Sequence, residues 1–184
     1  MPRLYLIRHG EPLGNWGQDD PDPGLTDLGR DQAESAGERL AKAPLKLVVS
    51  SPLRRARETA IPLARAMNVE PTIAQAVAEI PTPRGISFEK RADWLRHLMT
   101  GEWGAADAAL QSWRSGVVTY LTSLEHDTAV FSHFIAINVA LGAAIGDDRV
   151  VCFKPAHASI TVLETKGPSI TLVELGETAE TTIK

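Results

Sequence analysis

The stretch RLYLIRHGEP, residues 3–12, contains a short apolar run from Leu4 to Ile7 that predicts a buried β-strand. The run ends abruptly at Arg8, His9 and Gly10, two potential cations and a residue without a side chain. Open α/β sheets bind ligands beyond the carboxyl ends of their parallel strands. We therefore expect Arg8 and His9 to serve a binding site, with Gly10 letting the backbone approach the ligand without a Cβ.

Apolar runs that predict strands alternate along the chain with segments that predict helices. The later predicted strands are 45–50, an extended stretch within 70–80, 127–133, 158–165 and 169–175. The predicted helices are 26–42, 52–67, two pieces within 87–124, and 134–146. This alternation predicts an α/β three-layer sandwich, with a mostly parallel sheet between helices and an antiparallel strand pair near the C-terminus.

The first predicted helix has Thr26 as its N-cap and places Leu28, Ala33, Ala36 and Leu40 on one face. That face is expected to pack against the sheet, because it carries the apolar residues of the helix.

The second predicted helix begins in the segment SSPLRRARETA, residues 50–60. Ser51 is suited to cap it, Pro52 to occupy its first position, and Arg55 then lies in its opening turns. Pro62 is expected to kink or break the helix, since proline removes a backbone hydrogen bond.

Composition limits the classes of protein to which the chain can belong. Its 184 residues are 43% hydrophobic and 23% charged, which predicts one soluble globular domain over residues 1–184. The net charge of -4 provides no basic field for nucleic acid or a membrane surface. Cys152 is the only cysteine, which excludes an internal disulfide. With no signal peptide predicted and only a 13-residue apolar run at 134–146, we expect a cytoplasmic protein.

Basic or titratable nitrogen groups follow three separate predicted strands. They are Arg8 and His9 after the first strand, Arg55 after the second and His133 after the later one. The carboxyl ends of parallel strands lie at one edge of a sheet, so these four groups should converge on one pocket. Because arginine forks match phosphate oxygens, the pocket predicts a phosphoryl ligand.

Each of these residues also has a structural explanation when taken alone. A single histidine at a strand end is more often structural than catalytic, and arginines such as Arg54 and Arg57 usually lie solvated on a helix. The occurrence of four such groups at one edge favours function, because burying charge beside apolar runs costs free energy.

Four segments together resemble the histidine phosphatase superfamily, also called phosphoglycerate-mutase-like. They are LIRHGEP followed by Asn15, LTDLGRDQAESAG at 25–37, SSPLRRARETA at 50–60 and FSH at 131–133. The resemblance extends from the first strand to about residue 140, and the RHG and SPLxRA blocks in this order are specific to the family.

The resemblance implies a role for each matched residue. His9 would be phosphorylated, Glu79 would donate a proton to the leaving group, and Arg8 and His133 would complete the catalytic set. The residues expected to bind the phosphoryl group of the substrate are Arg8, Asn15, Arg55 and His133.

The chemistry of such a site explains these residue types. A neutral imidazole nitrogen attacks phosphorus and leaves a phosphohistidine that water cleaves, which replaces one difficult displacement by two easier ones. Arg8, Arg55 and a cationic or donating His133 would meet the charge on the equatorial oxygens. We expect no cofactor and no metal, since arginines would do the electrostatic work of magnesium.

Several assignments stay open at this point. Glu11 is a rival to Glu79 for the general acid, and His157 is either close to the ligand or a plain loop histidine. Phe134 stands where glycine is usual in the family and would add an apolar wall beside the phosphate. Trp103, at a predicted turn, could face a substrate.

A small cap or insert segment is expected at about residues 81–108, and its few basic residues favour hydrolysis of a phosphomonoester over phosphoryl shuttling. The expected partner is therefore a small phosphorylated substrate. Three alternatives remain: phosphoglycerate-mutase-type transfer, a protein phosphohistidine phosphatase, and a non-catalytic phosphate-binding regulator. The exposed edge of the final strand pair could also serve a homodimer.

Overall fold

The computed structural model describes residues 1–14 and 20–179. Its strands are β1 (Arg3–Arg8), β2 (Leu47–Ser50), β3 (Thr72–Ile73), β4 (Thr128–Ser132), β5 (Ile160–Lys166) and β6 (Ser169–Glu174). Its α-helices are α1 (Asp27–Leu40), α2 (Arg54–Met67), α3 (Arg91–Leu98), α4 (Ala108–Thr122) and α5 (Phe134–Ile145). Short 3₁₀ turns lie at Gln75–Val77, Phe88–Lys90 and Trp103–Ala105.

The six strands form one mixed sheet in the order β3-β2-β4-β1-β5-β6. The four strands from β3 to β1 run parallel, whereas β5 pairs antiparallel with both β1 and β6. The predicted α/β fold, with an antiparallel pair near the C-terminus, is confirmed.

Two apolar layers lie on opposite faces of this sheet. Leu4, Leu6 and Val130 pack with residues of α4 and α5 on one side. Ile7 and Phe131 pack with residues of α1 and α2 on the other side. Because successive side chains of a strand point to opposite faces, an unbroken apolar run such as Leu4 to Ile7 suits a strand covered on both sides.

The predicted third strand is mostly wrong. Only Thr72 and Ile73 pair with β2, and the chain then forms the 3₁₀ turn at Gln75–Val77. Val77 is buried, and its carbonyl accepts a hydrogen bond of 2.7 Å from the Ser132 hydroxyl. The chain therefore bends in toward the end of β4 instead of continuing along the sheet edge.

Helix α1 begins as predicted, because the Thr26 hydroxyl accepts a hydrogen bond from the Gly29 backbone N–H. Ala33, Ala36 and Leu40 are buried, but Leu28 is 54% exposed, so its predicted place on the packed face is wrong. Gly29, one position later, holds the buried position at the start of the helix.

Helix α2 differs from prediction at two prolines. It begins at Arg54, so Pro52 lies in the preceding turn, while Pro62 sits inside a continuous helix. At Gly37 of α1 an added Cβ would come within 2.8 Å of the Pro62 Cβ. The two helices therefore approach closely at this point, and their packing offsets the hydrogen bond that Pro62 cannot make.

Gly10 has a second reason to be glycine besides the expected approach to a ligand, which stays a prediction. A Cβ at Gly10 would lie 2.5 Å from the Gly29 carbonyl oxygen, and a Cβ at Gly29 would overlap the Glu11 carbonyl oxygen. The backbone after β1 thus lies directly against the first turn of α1. Both glycines are required by contact between backbones, which side-chain movement cannot relieve.

We predict that Gly29→Ala lowers the free energy of unfolding by about 2 kcal/mol or more, since the new methyl group must push α1 away from the loop after β1. Gly116→Ala is the matched control: Gly116 lies in α4 with no atom near its missing Cβ. That variant should gain up to about 1 kcal/mol from helix propensity. Urea denaturation measures both changes, and equal stability of the two variants would contradict the close approach.

Strand β6 forms one edge of the sheet and exposes apolar side chains at and beyond its end, among them Leu172, Val173 and Leu175. A homodimer at this edge stays a prediction. None of the helices in the described part of the chain is both long and apolar enough to cross a membrane.

Candidate active site

The carboxyl ends of β1, β4 and β2 lie side by side in the sheet. Arg8 pairs with Ser132, and Ser50 pairs with Phe131. The residues that follow these strands therefore meet at one edge, as expected. The rings of His9 and His133 lie with their centroids 5.3 Å apart.

His9 is buried and held from both ring nitrogens. Nδ1 lies 2.8 Å from the Gly10 carbonyl oxygen, and Nε2 lies 3.2 Å from the Nε–H of Arg55. A carbonyl only accepts and a guanidinium only donates, so Nδ1 carries the proton and Nε2 presents a lone pair. Burial, followed by the charges of Arg55 and Arg8, lowers the pKa of His9 well below its ordinary value. His9 is therefore a neutral imidazole at physiological pH.

His133 is fully buried, and its Nε2 lies 2.7 Å from the Ser51 hydroxyl. That hydroxyl accepts a bond from the Leu53 N–H, so its own proton is available to His133 Nε2. The proton of the ring then resides on Nδ1, which makes no hydrogen bond among the described residues. Burial, followed by the charges of His9 and Arg55, lowers the pKa of His133. Of the two expected forms, the neutral donor is favoured.

Arg8 is fixed between the loop after residue 154 and α5. Its Nη1 donates to the Pro155 carbonyl at 2.8 Å, and its guanidinium carbon lies 5.3 Å from the centroid of the Phe134 ring. Its Nε is buried without a partner in the described residues. Burial lowers the pKa of Arg8 to about 10, against the opposing charge of Glu79, so the side chain stays cationic at neutral pH.

Glu79 lies inside this group, whereas Glu11 does not. Glu79 Oε2 is 3.7 Å from Arg55 Nη2 and 3.8 Å from His133 Nδ1, and its side chain is 9% exposed. Glu11 Oε2 instead accepts a 2.8 Å bond from the Thr26 hydroxyl at the start of α1. Glu79 is therefore the carboxyl group that adjoins Arg55 and His133, and the identity of the general acid stays a prediction.

His157 lies beside the site, with its ring centroid 5.9 Å from that of His9. Burial, followed by the charge of Arg8, lowers the pKa of His157 to about 4, and Glu11 opposes the shift. His157 therefore lies beside His9, and a role close to a ligand stays a prediction.

The lowered pKa of His157 predicts a stability change with pH. The unfolded chain takes up a proton near the ordinary pKa of 6.5, whereas the folded chain does so only near 4, so folding loses stability as pH falls through that window. His157→Asn removes this loss. We expect the variant to gain stability relative to the wild type from pH 7 to 4.5, by less than about 1.4 kcal/mol per pH unit because the ring is partly solvated.

Urea titrations at several pH values measure this difference, with His126→Asn as the control at an exposed histidine. Parallel curves for the wild type and His157→Asn would show that His157 titrates alike in both states.

A cavity of about 230 Å³ is lined by Arg55 and Glu79, together with Phe88 and Arg91 of the 81–108 segment. Arg91 is fixed there, since its Nε donates to the Thr82 hydroxyl at 2.7 Å and its Nη2 to the Ile80 carbonyl at 3.0 Å. Arg55 and Glu79 are in turn the neighbours of His9 and His133.

Trp103 does not lie in this cavity. It is 1% exposed and packs against Trp113 in the core, so the expectation that it faces a substrate is wrong. The chain after the turn at residue 101 is tied to the 147–150 region, because Trp103 N–H donates to the Asp148 carbonyl. Asn15, the other residue expected to touch phosphate, lies outside the described residues.

Three residues of the site were not assigned from sequence. From sequence, Ser51 is only a predicted cap, Arg91 is one of the few basic residues of the 81–108 segment, and Thr59 has no predicted role. Thr59 lies four residues after Arg55 on α2, and residues at this spacing share one helix face. That spacing was the available signal.

The family model described as histidine phosphatase superfamily, branch 1, matches residues 4–178. Glucosyl-3-phosphoglycerate phosphatase of Mycolicibacterium vanbaalenii is 50% identical over 64 residues, which are 33% of this chain and 28% of that protein. Phosphoserine phosphatase 1 of Hydrogenobacter thermophilus is 36% identical over 84 residues, 44% of this chain and 39% of that protein. The matched part of the chain thus spans less than half the length of these two relatives.

Among solved structures, phosphoserine phosphatase of Entamoeba histolytica in complex with 3-phosphoglyceric acid superposes with a TM-score of 0.76 at 24% identity. The superposition covers 97% of this chain and 98% of that one. At this identity the likeness shows that the two chains share a fold.

Proposed function

The chain belongs to the histidine phosphatase superfamily, branch 1, and from this membership we propose that it hydrolyses phosphomonoesters through a phosphohistidine on His9. The observation that carries the proposal is the state of His9. Its Nδ1 is occupied by the Gly10 carbonyl, and its Nε2 lone pair points at a cationic group, Arg55. A neutral nucleophile facing cations suits attack on a phosphoryl dianion.

The proposed phosphate cradle uses donors that lie next to His9. In this structure Arg55 Nε–H donates a hydrogen bond to His9 Nε2. When phosphorus approaches Nε2, the same N–H can donate to a phosphoryl oxygen instead. Arg8 Nε and His133 Nδ1 are buried donors in the same group. Charged and neutral donors fixed in advance stabilise the equatorial oxygens without reorganising.

The proposed reaction has two displacements. First, His9 Nε2 forms a bond to phosphorus while the phosphorus–oxygen ester bond breaks, and Glu79, which reacts in its protonated form, gives its proton to the departing oxygen. Water then attacks the same phosphorus, Glu79 takes up the proton of that water, and the nitrogen–phosphorus bond breaks to release phosphate. His9 and Glu79 return to their starting protonation states, so each cycle consumes only the ester and one water molecule.

The proposed substrate is a small phosphomonoester covered by the 81–108 segment, which contributes Phe88 and Arg91 to the cavity. The phosphoglycerate and phosphoserine in the names of the relatives both carry a carboxylate beside the phosphate. Arg91 provides a fixed cation that could bind such a second anion. The single cysteine and the acidic net charge support a cytoplasmic protein without nucleic-acid or membrane partners.

Arg91→Gln should raise the KM for a phosphorylated carboxylic acid by about tenfold or more, because it removes one charge-assisted contact. The KM for an aryl phosphate without a carboxylate should change much less. Arg84→Gln is the matched control, since Arg84 is an exposed arginine of the same segment. Steady-state kinetics on both substrates measure the effect, and equal changes in KM for the two substrates would contradict a carboxylate contact.

The proposal is tested by phosphate release from p-nitrophenyl phosphate in the presence of excess chelator, with trapping of the phosphoenzyme in alkali. We expect phosphate release and a phosphoryl group that is stable in base and lost in acid, as phosphohistidine is. Interconversion of phosphoglycerates without phosphate release would instead support the mutase alternative. Phosphate binding without turnover of any ester would support a regulator.

A further inference from the structure

Thr59 is fully buried in α2 and lies between the two groups that hold His9. Its hydroxyl donates to the Arg55 carbonyl at 2.6 Å. The same oxygen accepts the Gly10 backbone N–H at 2.9 Å. A hydroxyl has one proton and two acceptor sites, so the donated bond to Arg55 fixes its rotation and leaves a lone pair for Gly10.

The hydrogen bonds close a circuit around the nucleophile. His9 Nδ1 donates to the Gly10 carbonyl, the Gly10 N–H donates to Thr59, Thr59 donates to the backbone of Arg55, and Arg55 Nε donates to His9 Nε2. Thr59 is the member that joins the loop after β1 to helix α2. Without Thr59, the hydrogen bonds that Gly10 and Arg55 make with the His9 ring would come from two elements that its hydroxyl no longer joins.

Gly10 is the member of this circuit with the greatest backbone freedom. Its N–H and its carbonyl flank a single Cα, and no side chain restrains the two torsions there. Its carbonyl must nevertheless stay aligned with His9 Nδ1, because the hydrogen bond at one ring nitrogen decides which nitrogen carries the proton. The bond from the Gly10 N–H to Thr59 supplies a restraint that glycine itself lacks.

We infer that Thr59 is a positioning residue whose hydroxyl keeps His9 in the tautomer with a free lone pair on Nε2, in register with Arg55. Thr59 acts through the backbone of Gly10 and Arg55, the two partners of its hydroxyl. The inference rests on the proposed role of His9 as nucleophile, but the tautomer itself can be observed without any turnover.

The test compares Thr59→Val, which keeps the shape and loses the hydroxyl, with Thr59→Ser, which keeps the hydroxyl. Thr59→Val should lower the rate of His9 phosphorylation by roughly ten- to a hundredfold, with little change in KM, because the nucleophile is misplaced and the phosphate cradle is intact. Thr59→Ser should stay within a few-fold of the wild type. Thr128→Val is the control: Thr128 is equally buried, and its hydroxyl bonds the His126 carbonyl at the far end of β4.

The second readout is the ¹⁵N spectrum of histidine-labelled protein, with the His9 signals assigned by their loss in His9→Ala. We expect a single tautomer protonated on Nδ1 in the wild type and in Thr59→Ser, and a mixture of tautomers in Thr59→Val. A structural role alone would lower stability in Thr59→Val and Thr128→Val alike and leave this spectrum unchanged.

The variants are made in the Gly116→Ala background, which we expect to be more stable, so that loss of the buried hydroxyl does not unfold the chain. An unchanged spectrum and rate in Thr59→Val would overturn the inference. So would a serine variant that folds but has lost the rate or the tautomer, even if the valine variant does not fold. Failure of the proposed function is distinct from both, since the wild type itself would then release no phosphate.

Discussion

His9→Ala will lower the rate of phosphate release from an aryl phosphomonoester by on the order of 10⁴-fold or more, the scale seen when a covalent nucleophile is removed. The variant keeps Arg8, Arg55 and His133, so it should still bind phosphate. No phosphoenzyme should form, because the variant lacks the Nε2 lone pair that faces Arg55. Phosphate release, phosphoenzyme trapping and phosphate binding by calorimetry measure the three expectations.

His126→Ala is the control for this variant, since His126 is exposed and precedes β4 at the opposite end of the strand from His133. It should match the wild type in all three measurements. Phosphate release by His9→Ala within tenfold of the wild type would remove His9 as the nucleophile and would leave His133 or a water molecule to be tested.

Glu79→Gln will slow the first turnover of an alkyl phosphomonoester by roughly 10²- to 10⁴-fold, the usual contribution of a general acid. The same variant should phosphorylate His9 from p-nitrophenyl phosphate at less than about a tenfold penalty, since nitrophenolate departs without a proton. The ratio of the two rates is therefore the decisive quantity. Rapid quench of the first turnover measures it free of the later hydrolysis step, in which Glu79 would also act.

Glu11→Gln provides the matched comparison, because Glu11 was the rival for this role. It should lower stability by weakening the contact with Thr26 at the start of α1 and leave the ratio of alkyl to aryl rates unchanged. If Glu11→Gln changes the ratio and Glu79→Gln does not, the acid is Glu11 and the assignment to Glu79 is wrong.

The meeting of His9, Arg55 and His133 could be predicted from sequence, because it follows from topology. A buried run that ends in Arg8 and His9, and a later one that ends in Ser132 and His133, must bring those ends together if the strands are parallel. The prediction needed no distances. It holds although the predictions for other elements were partly wrong: β3 has only two residues, and α2 continues through Pro62.

The place of Trp103 could not be predicted in this way. A tryptophan at a turn is compatible with a core position or a ligand wall, and only the packing of residues 101–106 against the 147–150 region decides between them. Gly10 shows the same limit, since its missing Cβ is explained by contact with Gly29, 19 positions away in the sequence.

The fold class and the meeting of two arginines and two histidines at one sheet edge follow from the sequence, because strand patterns and their ends are local properties of the chain. The tertiary structure was needed to show which groups adjoin the ring nitrogens of His9 and His133, and that Glu79 rather than Glu11 lies beside Arg55 and His133. The protonation states of the two rings depend on which donor or acceptor lies within about 3 Å of a given ring nitrogen. Gly10 is the next residue along the chain, but Ser51 and Arg55 are brought to the histidines by the packing of α2 and its preceding turn against the sheet, and no single segment encodes those distances.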